Sequence, residues 1–167
     1  MKPPFVTEPL NPDHDRSAFH SGSDSLDRYF KERASQDVRR RVAGCFVAVD
    51  QDKTIAGFYT LAAASVALDA LPREMAKALP RYPVVPVMLV GRLAVATTHQ
   101  GKGLGSALIA DAIIRTDRFG IGAFAMMVDA KDEHAAAFYQ ASGFTALPGQ
   151  GRRLCLPIAT ALRLLQD

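Results

Sequence analysis

Leu26, Tyr29, Phe30, Arg33, Ala34 and Val38 recur at three- and four-residue spacing, the period of a helix with one buried face. The pattern predicts a helix from about Leu26 to Arg40. The polar turn Ser21 to Ser25 precedes it, with Ser23 or Asp24 placed to cap it. Its end carries Arg39, Arg40 and Arg41, cations that suit a helix C-terminus. Cys45 to Val49 is a short apolar run, Asp50 to Lys53 reads as a hairpin loop, and Ile55 to Ala63 as the returning strand. A short helix is expected from Leu71 to Leu79, between Pro72 and Pro80, after which Pro83 and Pro86 break the chain. Val87 to Val95 is a strongly apolar strand and Ala96 to Gly101 a loop. Leu104, Leu108, Ile109, Ala112 and Ile113 form one face of the next helix, and Arg115, Asp117 and Arg118 mark its wet end. Ala123 to Val128 is a further strand. Glu133 to Ser142 is a helix stopped by Gly143, a glycine suited to the left-handed cap. Phe144 to Leu147 and Leu154 to Leu156 read as strands, and Ile158 to Leu165 as a terminal helix.

The order is helix, hairpin, strand, helix, strand, helix, strand. It predicts an α/β fold, a mixed central sheet with a parallel middle and flanking helices. With 167 residues, 49% of them hydrophobic, residues 1–167 suit a single domain that folds without disulfides or a structural metal. Cys45 and Cys155 lie in apolar runs and are expected as buried free thiols, with a disulfide between them left open. His14, His20, His99 and His134 are scattered, so no metal site is expected. The segment Met1 to Asp15 is polar and carries Pro3, Pro4, Pro9 and Pro12, unlike a signal peptide. No run approaches the ~18 apolar residues of a membrane span. A soluble, cytoplasmic protein is expected. A net charge of +3 permits a nucleic-acid partner without demanding one.

Most of the chemical information lies in Leu89-Val90-Gly91-Arg92-Leu93-Ala94-Val95, then Ala96-Thr97-Thr98-His99, then Gln100-Gly101-Lys102-Gly103-Leu104-Gly105. This is a strand, a glycine-rich turn and a helix start. Glycines admit close approach of a ligand to the main chain, and a helix start offers unpaired N–H groups and partial positive charge. Lys102 adds a charge at the rim. A Walker loop is excluded, because no Gly-Lys-Ser/Thr is present, and so is the dinucleotide fingerprint, because Gly101, Gly103 and Gly105 alternate. A plain connector remains the alternative for the glycines taken alone.

Gln100-x-x-Gly103-x-Gly105, opening a helix after a strand, resembles the acetyl-coenzyme A loop of the GCN5-related N-acetyltransferases (GNAT). Ala137-Phe138-Tyr139-Gln140-Ala141-Ser142-Gly143-Phe144 resembles the Phe-Tyr-x-x-x-Gly-Phe segment of the same superfamily. Leu26-Asp27-Arg28-Tyr29-Phe30, Ala34-Ser35-Gln36-Asp37, Gly57-Phe58-Tyr59-Thr60-Leu61, Leu79-Pro80-Arg81-Tyr82-Pro83, Gly91 to Val95 and Val128-Asp129-Ala130 extend the likeness over nearly the whole chain. Together they resemble the GNAT toxins of bacterial toxin–antitoxin pairs. That resemblance implies acetylation of the amino group of an amino acid already attached to tRNA, so that translation stops. It also implies a ribbon-helix-helix antitoxin, a homodimer, and a cofactor lying where the strand ending at Val95 splays from the strand at Ala125 to Val128.

The resemblance assigns acetyl-CoA to Leu93, Ala94, Val95, Gln100, Gly101, Lys102, Gly103, Leu104, Gly105 and Ser106. Turn N–H groups would hold its pyrophosphate, and strand main chain its pantetheine arm. An N–H near Val95 would serve the oxyanion. Tyr139 falls at the family's catalytic tyrosine and is expected as general acid toward the leaving thiolate; packing alone is the other reading of it. No general base is evident, and an α-amine titrating near ~7.7–8.0 needs none. His99 is a candidate relay or a loop-capping residue. Lys131 departs from the asparagine common in that neighbourhood, so no side-chain cofactor contact is carried over there. Six basic residues against four acidic ones between Asp24 and Arg41 fit either a solvated helix or an RNA surface. Arg39, Arg40, Arg41 and Arg92 are the expected charged-tRNA contacts; Arg81, Arg152 and Arg153 extend that surface. The competing functions are an ordinary GNAT enzyme acting on a small or protein amine, and a non-catalytic acetyl-CoA sensor.

Overall fold

The computed structural model describes residues 5–166, so Pro3 and Pro4 lie outside the described residues. The strands are β1 (Val6–Pro9), β2 (Gly44–Val49), β3 (Ile55–Ala67), β4 (Val84–Val95), β5 (Ala125–Asp129), β6 (Thr145–Ala146) and β7 (Arg153–Pro157). The helices are α1 (Asp24–Glu32), α2 (Ala34–Arg39), α3 (Arg73–Ala76), α4 (Leu104–Arg118), α5 (Glu133–Ala141) and α6 (Ile158–Gln166). The sheet runs in the order β1-β2-β3-β4-β5-β7-β6. β4 and β5 are parallel, while β1 with β2, β2 with β3, β5 with β7, and β6 with β7 are antiparallel. The mixed α/β architecture is the expected one.

The chain forms two compact units: residues 5–62 with 91–112, and residues 63–90 with 113–166. In the first, Phe30 and Phe58 are fully buried and stack at 4.2 Å, with Phe19 edge-on to both. Such aromatic pairs add to the area they remove from water. Gly57 on β3 is required by crowding, because a Cβ there would lie 2.9 Å from the Ala94 carbonyl oxygen and 3.1 Å from Leu108 Cδ1. The start of α4 can therefore sit close over the sheet. In the second unit Val85, Val87, Ala125, Met127, Leu147 and Cys155 form the core. The β4–β5 register runs from Val87↔Ala125 to Val90↔Val128. Cys45 and Cys155 are both buried and free, which resolves the open question of a disulfide. Burial pushes their thiols up to about 12 and about 11, so both stay neutral.

Several boundaries differ from the sequence reading. The expected helix Leu26–Arg40 is two helices, broken at Arg33. The Arg16 guanidinium donates to the Phe30 carbonyl at 2.6 Å, the acceptor that Ala34 N–H would use in a continuous helix. The tract Val6–Pro9 is an edge strand on β2. Pro86 lies inside β4 instead of breaking it, and its carbonyl accepts from Phe124 N–H at 2.9 Å; proline gives up only its donor. β3 continues to Ala67. The expected helix Leu71–Leu79 shrinks to four residues, Arg73–Ala76, preceded by a 3₁₀ turn at Leu68–Ala70. α5 starts at Glu133 as expected, and Asp132 caps it by accepting from Ala135 N–H at 2.8 Å.

The end of α2 carries strain. Val42 N–H donates to Asp37 O and Arg41 N–H to Val38 O, the paired bonds of a Schellman turn. Its left-handed position is held by Arg41 at φ 60, where glycine is usual. That conformation costs an L-residue roughly 1–2 kcal/mol. Arg41→Gly should therefore stabilise the protein by about 0.5–1 kcal/mol after allowing for the greater freedom of glycine in the unfolded chain. Chemical denaturation measures it; no gain would mean that the turn relaxes around arginine without cost.

Candidate active site

The glycine-rich turn belongs to the first unit and is braced on both sides. Where β4 ends, Ala96 N–H donates to Ala56 O and Thr97 N–H to His20 O, both at 2.8 Å. A 3₁₀ turn, Thr97–His99, follows. The Gln100 amide then donates to Ser21 O at 2.8 Å and to Val95 O at 2.9 Å. Ser21 is itself fixed by Asp27 on α1, whose carboxylate accepts from its N–H at 3.0 Å and its hydroxyl at 2.7 Å. Asp27 is the one charged residue buried among the described residues, 7% exposed, and these bonds satisfy it.

Gly101 and Gly103 follow at φ 77 and 81, and a Cβ on either would meet nothing within 4 Å. Their conformation, not crowding inside the protein, calls for glycine, and the space beside the main chain is open. Ala107 N–H donates to Gly103 O at 3.1 Å, so the N–H groups of Leu104, Gly105 and Ser106 precede the first helical bond of α4 and have no helical partner. With fifteen residues, α4 places the positive end of its dipole there. Lys102 is exposed at the rim. This arrangement suits a polyphosphate, and the Leu93–Val95 main chain leading into it suits an extended amide arm. All ten residues expected at the cofactor thus lie on one continuous strand, turn and helix start.

His99 braces this turn. Nδ1 is 2.8 Å from Thr98 Oγ1, Nε2 is 3.3 Å from Asp50 Oδ2, and the Phe5 ring packs edge-on. Both ring nitrogens are engaged within the protein, which favours the loop-capping reading over a relay. Bonds from the Thr54 and Asp52 N–H groups, with His99, hold Asp50 below the usual carboxylate range.

Tyr139 belongs to the second unit, on α5. Its ring packs edge-on between Phe138 at 5.1 Å and Phe144 at 5.5 Å, and it is 8% exposed. Gly143 at φ 104 turns the chain so that Phe144 N–H donates back to Tyr139 O at 3.1 Å. The hydroxyl has no partner among the described residues, yet no sealed side-chain polar atom there lacks one. The hydroxyl therefore reaches solvent although the residue as a whole is buried. Burial pushes its pKa up to about 12, so it holds its proton throughout the physiological range.

Arg39, Arg40 and Arg41 are exposed and make no side-chain bond with any described residue. Arg92 is exposed as well, with its guanidinium 3.7 Å from the Tyr29 ring centroid. The sequence reading missed the Tyr29–Asp37 hydrogen bond beneath it, 2.8 Å long, and the bracing roles of Gln100, Ser21 and Asp27. Of the outlying arginines, Arg152 pairs with Glu133 and Arg153 with Asp129, so neither offers a free charge. Lys131 is exposed. Among the described residues no group of three or more His, Cys, Asp or Glu could hold a metal ion, and no helix is long and apolar enough to cross a membrane.

Residues 8–144 match the model of the acetyltransferase (GNAT) family. A protein of Mycobacterium tuberculosis (strain ATCC 25618 / H37Rv) named "tRNA-acetylating toxin" is 38% identical over 155 residues, 92% of each chain. A solved structure of AtaT complexed with acetyl-methionyl-tRNAfMet is similar with a TM-score of 0.87 and 26% identity, covering 98% of this chain and 99% of that one. A crystal structure of AtaTR bound with AcCoA matches with a TM-score of 0.83 and 25% identity, over 96% and 98% of the two chains.

The state of Tyr139 is open to titration. The value of about 12 lies above the unfolded value near ~10. The contribution of this phenol to folding stability is therefore complete below pH ~10 and falls as pH rises toward about 12, where the unfolded chain has lost the proton and the folded one has not. Absorbance titration should show one phenolate appearing near pH 12 that is missing in Tyr139→Phe. Loss of a phenol titrating near ~10 instead would mean that the ring is not held in this pocket.

Proposed function

The chain belongs to the acetyltransferase (GNAT) family, and on that premise we propose that it acetylates the amino group of aminoacyl-tRNA and so blocks translation. It is an N-acetyltransferase that uses acetyl-CoA. The observation that carries this reading is the open glycine turn feeding the unpaired N–H groups of α4. The choice of amine is supported by the relative named for tRNA acetylation, which matches 92% of this chain.

Acetyl-CoA supplies an activated acyl group on a thioester. Gln100 to Ser106 hold its diphosphate through main-chain N–H groups, with Lys102 adding a screened charge. Leu93, Ala94 and Val95 hold the amide arm as a neighbouring strand would. The amine is the nucleophile. Free α-amines titrate near ~7.7–8.0, so a useful fraction is neutral without a dedicated base. As the new C–N bond forms and the C–S bond breaks, negative charge passes through the carbonyl oxygen to sulfur. An N–H near Val95 stabilises the first, and the Tyr139 hydroxyl serves the second. Arg39, Arg40, Arg41 and Arg92 contact tRNA phosphates.

The rest of the proposal concerns partners. Residues 1–167 act as one acetyltransferase domain in the cytoplasm. A toxin that stops translation needs a neutralising partner, and a ribbon-helix-helix antitoxin is the expected one. A homodimer is expected, and exposed Phe119, Ile121 and Leu164 supply apolar surface for it.

Two variants test the chemistry together. Gly103→Asp sets a carboxylate and a strained backbone in the phosphate turn and should abolish acetyl-CoA binding by calorimetry. Tyr139→Phe should leave that binding intact and lower turnover by roughly 10²–10⁴-fold. Unchanged affinity in the first variant would put the cofactor elsewhere, and near-normal turnover in the second would return Tyr139 to packing alone.

The substrate is tested with Arg39, Arg40 and Arg41 all replaced by alanine. KM for charged tRNA should rise and its salt dependence flatten, because fewer counterions are released. Growth arrest on expression should weaken in parallel. Wild-type enzyme that acetylates free amines and ignores charged tRNA would establish the ordinary-acetyltransferase reading instead.

A further inference from the structure

Arg92 is fixed everywhere except at its hydrogen-bonding edge. Its main-chain N–H donates to Thr60 Oγ1 at 3.0 Å, and Thr60 is 2% exposed. A Cβ at the preceding Gly91 would come within 3.1 Å of that same oxygen. The guanidinium carbon lies 3.7 Å from the centre of the Tyr29 ring, a cation–π contact. Tyr29 is 6% exposed and is anchored by its hydroxyl, which donates to Asp37 Oδ2 at 2.8 Å. Arg92 makes no side-chain hydrogen bond or ion pair with any described residue. Its N–H donors are thus pre-aligned and unspent, in the fork geometry that fits an oxyanion.

Asp37 also serves the neighbouring cations. Its carbonyl accepts from Val42 N–H at 3.0 Å, the bond that closes the left-handed turn bearing Arg41. One residue therefore reaches Arg92 through the Tyr29 ring and fixes the Arg39–Arg41 turn through its main chain. A single carboxylate ligand needs one such cation. Four cations tied to one fixed point, without carboxylate partners of their own, suit a chain of phosphates.

We infer that Tyr29 and Asp37 are positioning residues, which hold the Arg92 guanidinium at a fixed spacing from the Arg39–Arg41 turn so that both engage phosphates of one RNA backbone. This rests on the nucleic-acid substrate proposed above and extends it to residues that touch no ligand. Asp37 is informative because simple electrostatics predicts the opposite sign. Removing a carboxylate near a polyanion site should strengthen binding, whereas removing the anchor of the Arg92 platform should weaken it.

The test uses uncharged tRNA as a binding probe across a salt series, with kinetics on the same tRNA after charging. Arg92→Ala should weaken binding about tenfold or more, as expected for a lost charge-assisted bond, and reduce the salt slope by about one. Asp37→Ala should weaken binding several-fold. Asp37→Asn, which keeps an acceptor for the Tyr29 hydroxyl, should restore it to wild-type strength or better. In an Arg92→Ala background Asp37→Ala should have no further effect. The losses should appear in KM for charged tRNA and not in kcat. Unchanged binding and slope in Arg92→Ala, tighter binding in Asp37→Ala, or an equal Asp37→Ala effect in both backgrounds would each overturn the inference. Arginine-dependent tRNA binding by an enzyme that does not acetylate charged tRNA would leave this inference standing and sink the proposed function alone.

Discussion

The Gln100 side chain donates to two carbonyls at once, Ser21 O and Val95 O, and the geometry of the glycine-rich turn depends on that amide. A glycine-rich loop has no conformation of its own to defend. Here its first residue is clamped between the end of β4 and the turn ahead of α1, and that turn is clamped in its own right by the buried Asp27 carboxylate. The turn therefore leaves a fixed point in a fixed direction. Gly101 and Gly103 then turn the chain at positive φ, and α4 begins with three N–H groups that have no helical partner. Preorganisation of this kind lets main-chain donors bind a phosphate without first ordering the loop.

Several of the features described above keep bonding capacity open. Among the described residues no sealed side-chain polar atom lacks a partner. Against that background stand the free helix start of α4, the unpartnered Tyr139 hydroxyl, the open edge of Arg92 and the exposed Arg39 to Arg41. Arg41 goes further and occupies a backbone conformation that arginine resists. A turn selected only for stability would carry glycine there. Strain at such a position points to a side chain wanted for what it contacts, and the two unpaired residues before it, Arg39 and Arg40, are cations too.

Most of this was legible in the chain because it is local. Periodicity marked the buried face of α4, since a helix repeats its contacts every turn, and the alternating glycines marked the turn before it. Gly143 marked the end of α5. Long-range bonds were not legible. Nothing around Leu26–Arg40 announces that Arg16 will take the Phe30 carbonyl and split the helix. Pro86 reads as a breaker, because its missing donor is visible in sequence and the use of its carbonyl by Phe124 is not. Val6–Pro9 has too little apolar character to read as a strand until β2 offers it an edge. The same applies to Tyr29. Its spacing identified it as core, but a core ring that also carries an arginine on its face and an aspartate on its hydroxyl shows only when α1, α2 and β4 are brought together.

The pKa of Tyr139 constrains how it can assist. A thiolate leaving group has a reference pKa near ~8.5, while the buried phenol stands at about 12. Complete transfer of the phenolic proton to sulfur is therefore uphill by about 3.5 units, or about 5 kcal/mol. An amine that has attacked a carbonyl must itself lose a proton, and that proton is far more acidic than the phenol. In the proposed reaction the proton that finally rests on sulfur is thus supplied, in net terms, by the amine. Tyr139 either relays it or lends a hydrogen bond while sulfur is charged. Both roles need a phenol that is protonated, rigid and reachable at its hydroxyl. Phe138, Phe144 and the Gly143 turn provide those conditions: they desolvate the ring, which raises its pKa, and leave the hydroxyl without a competing partner. In the proposed reaction, the burial that makes Tyr139 a poor acid in isolation would thus make it a dependable donor throughout the pH range in which the amine is reactive.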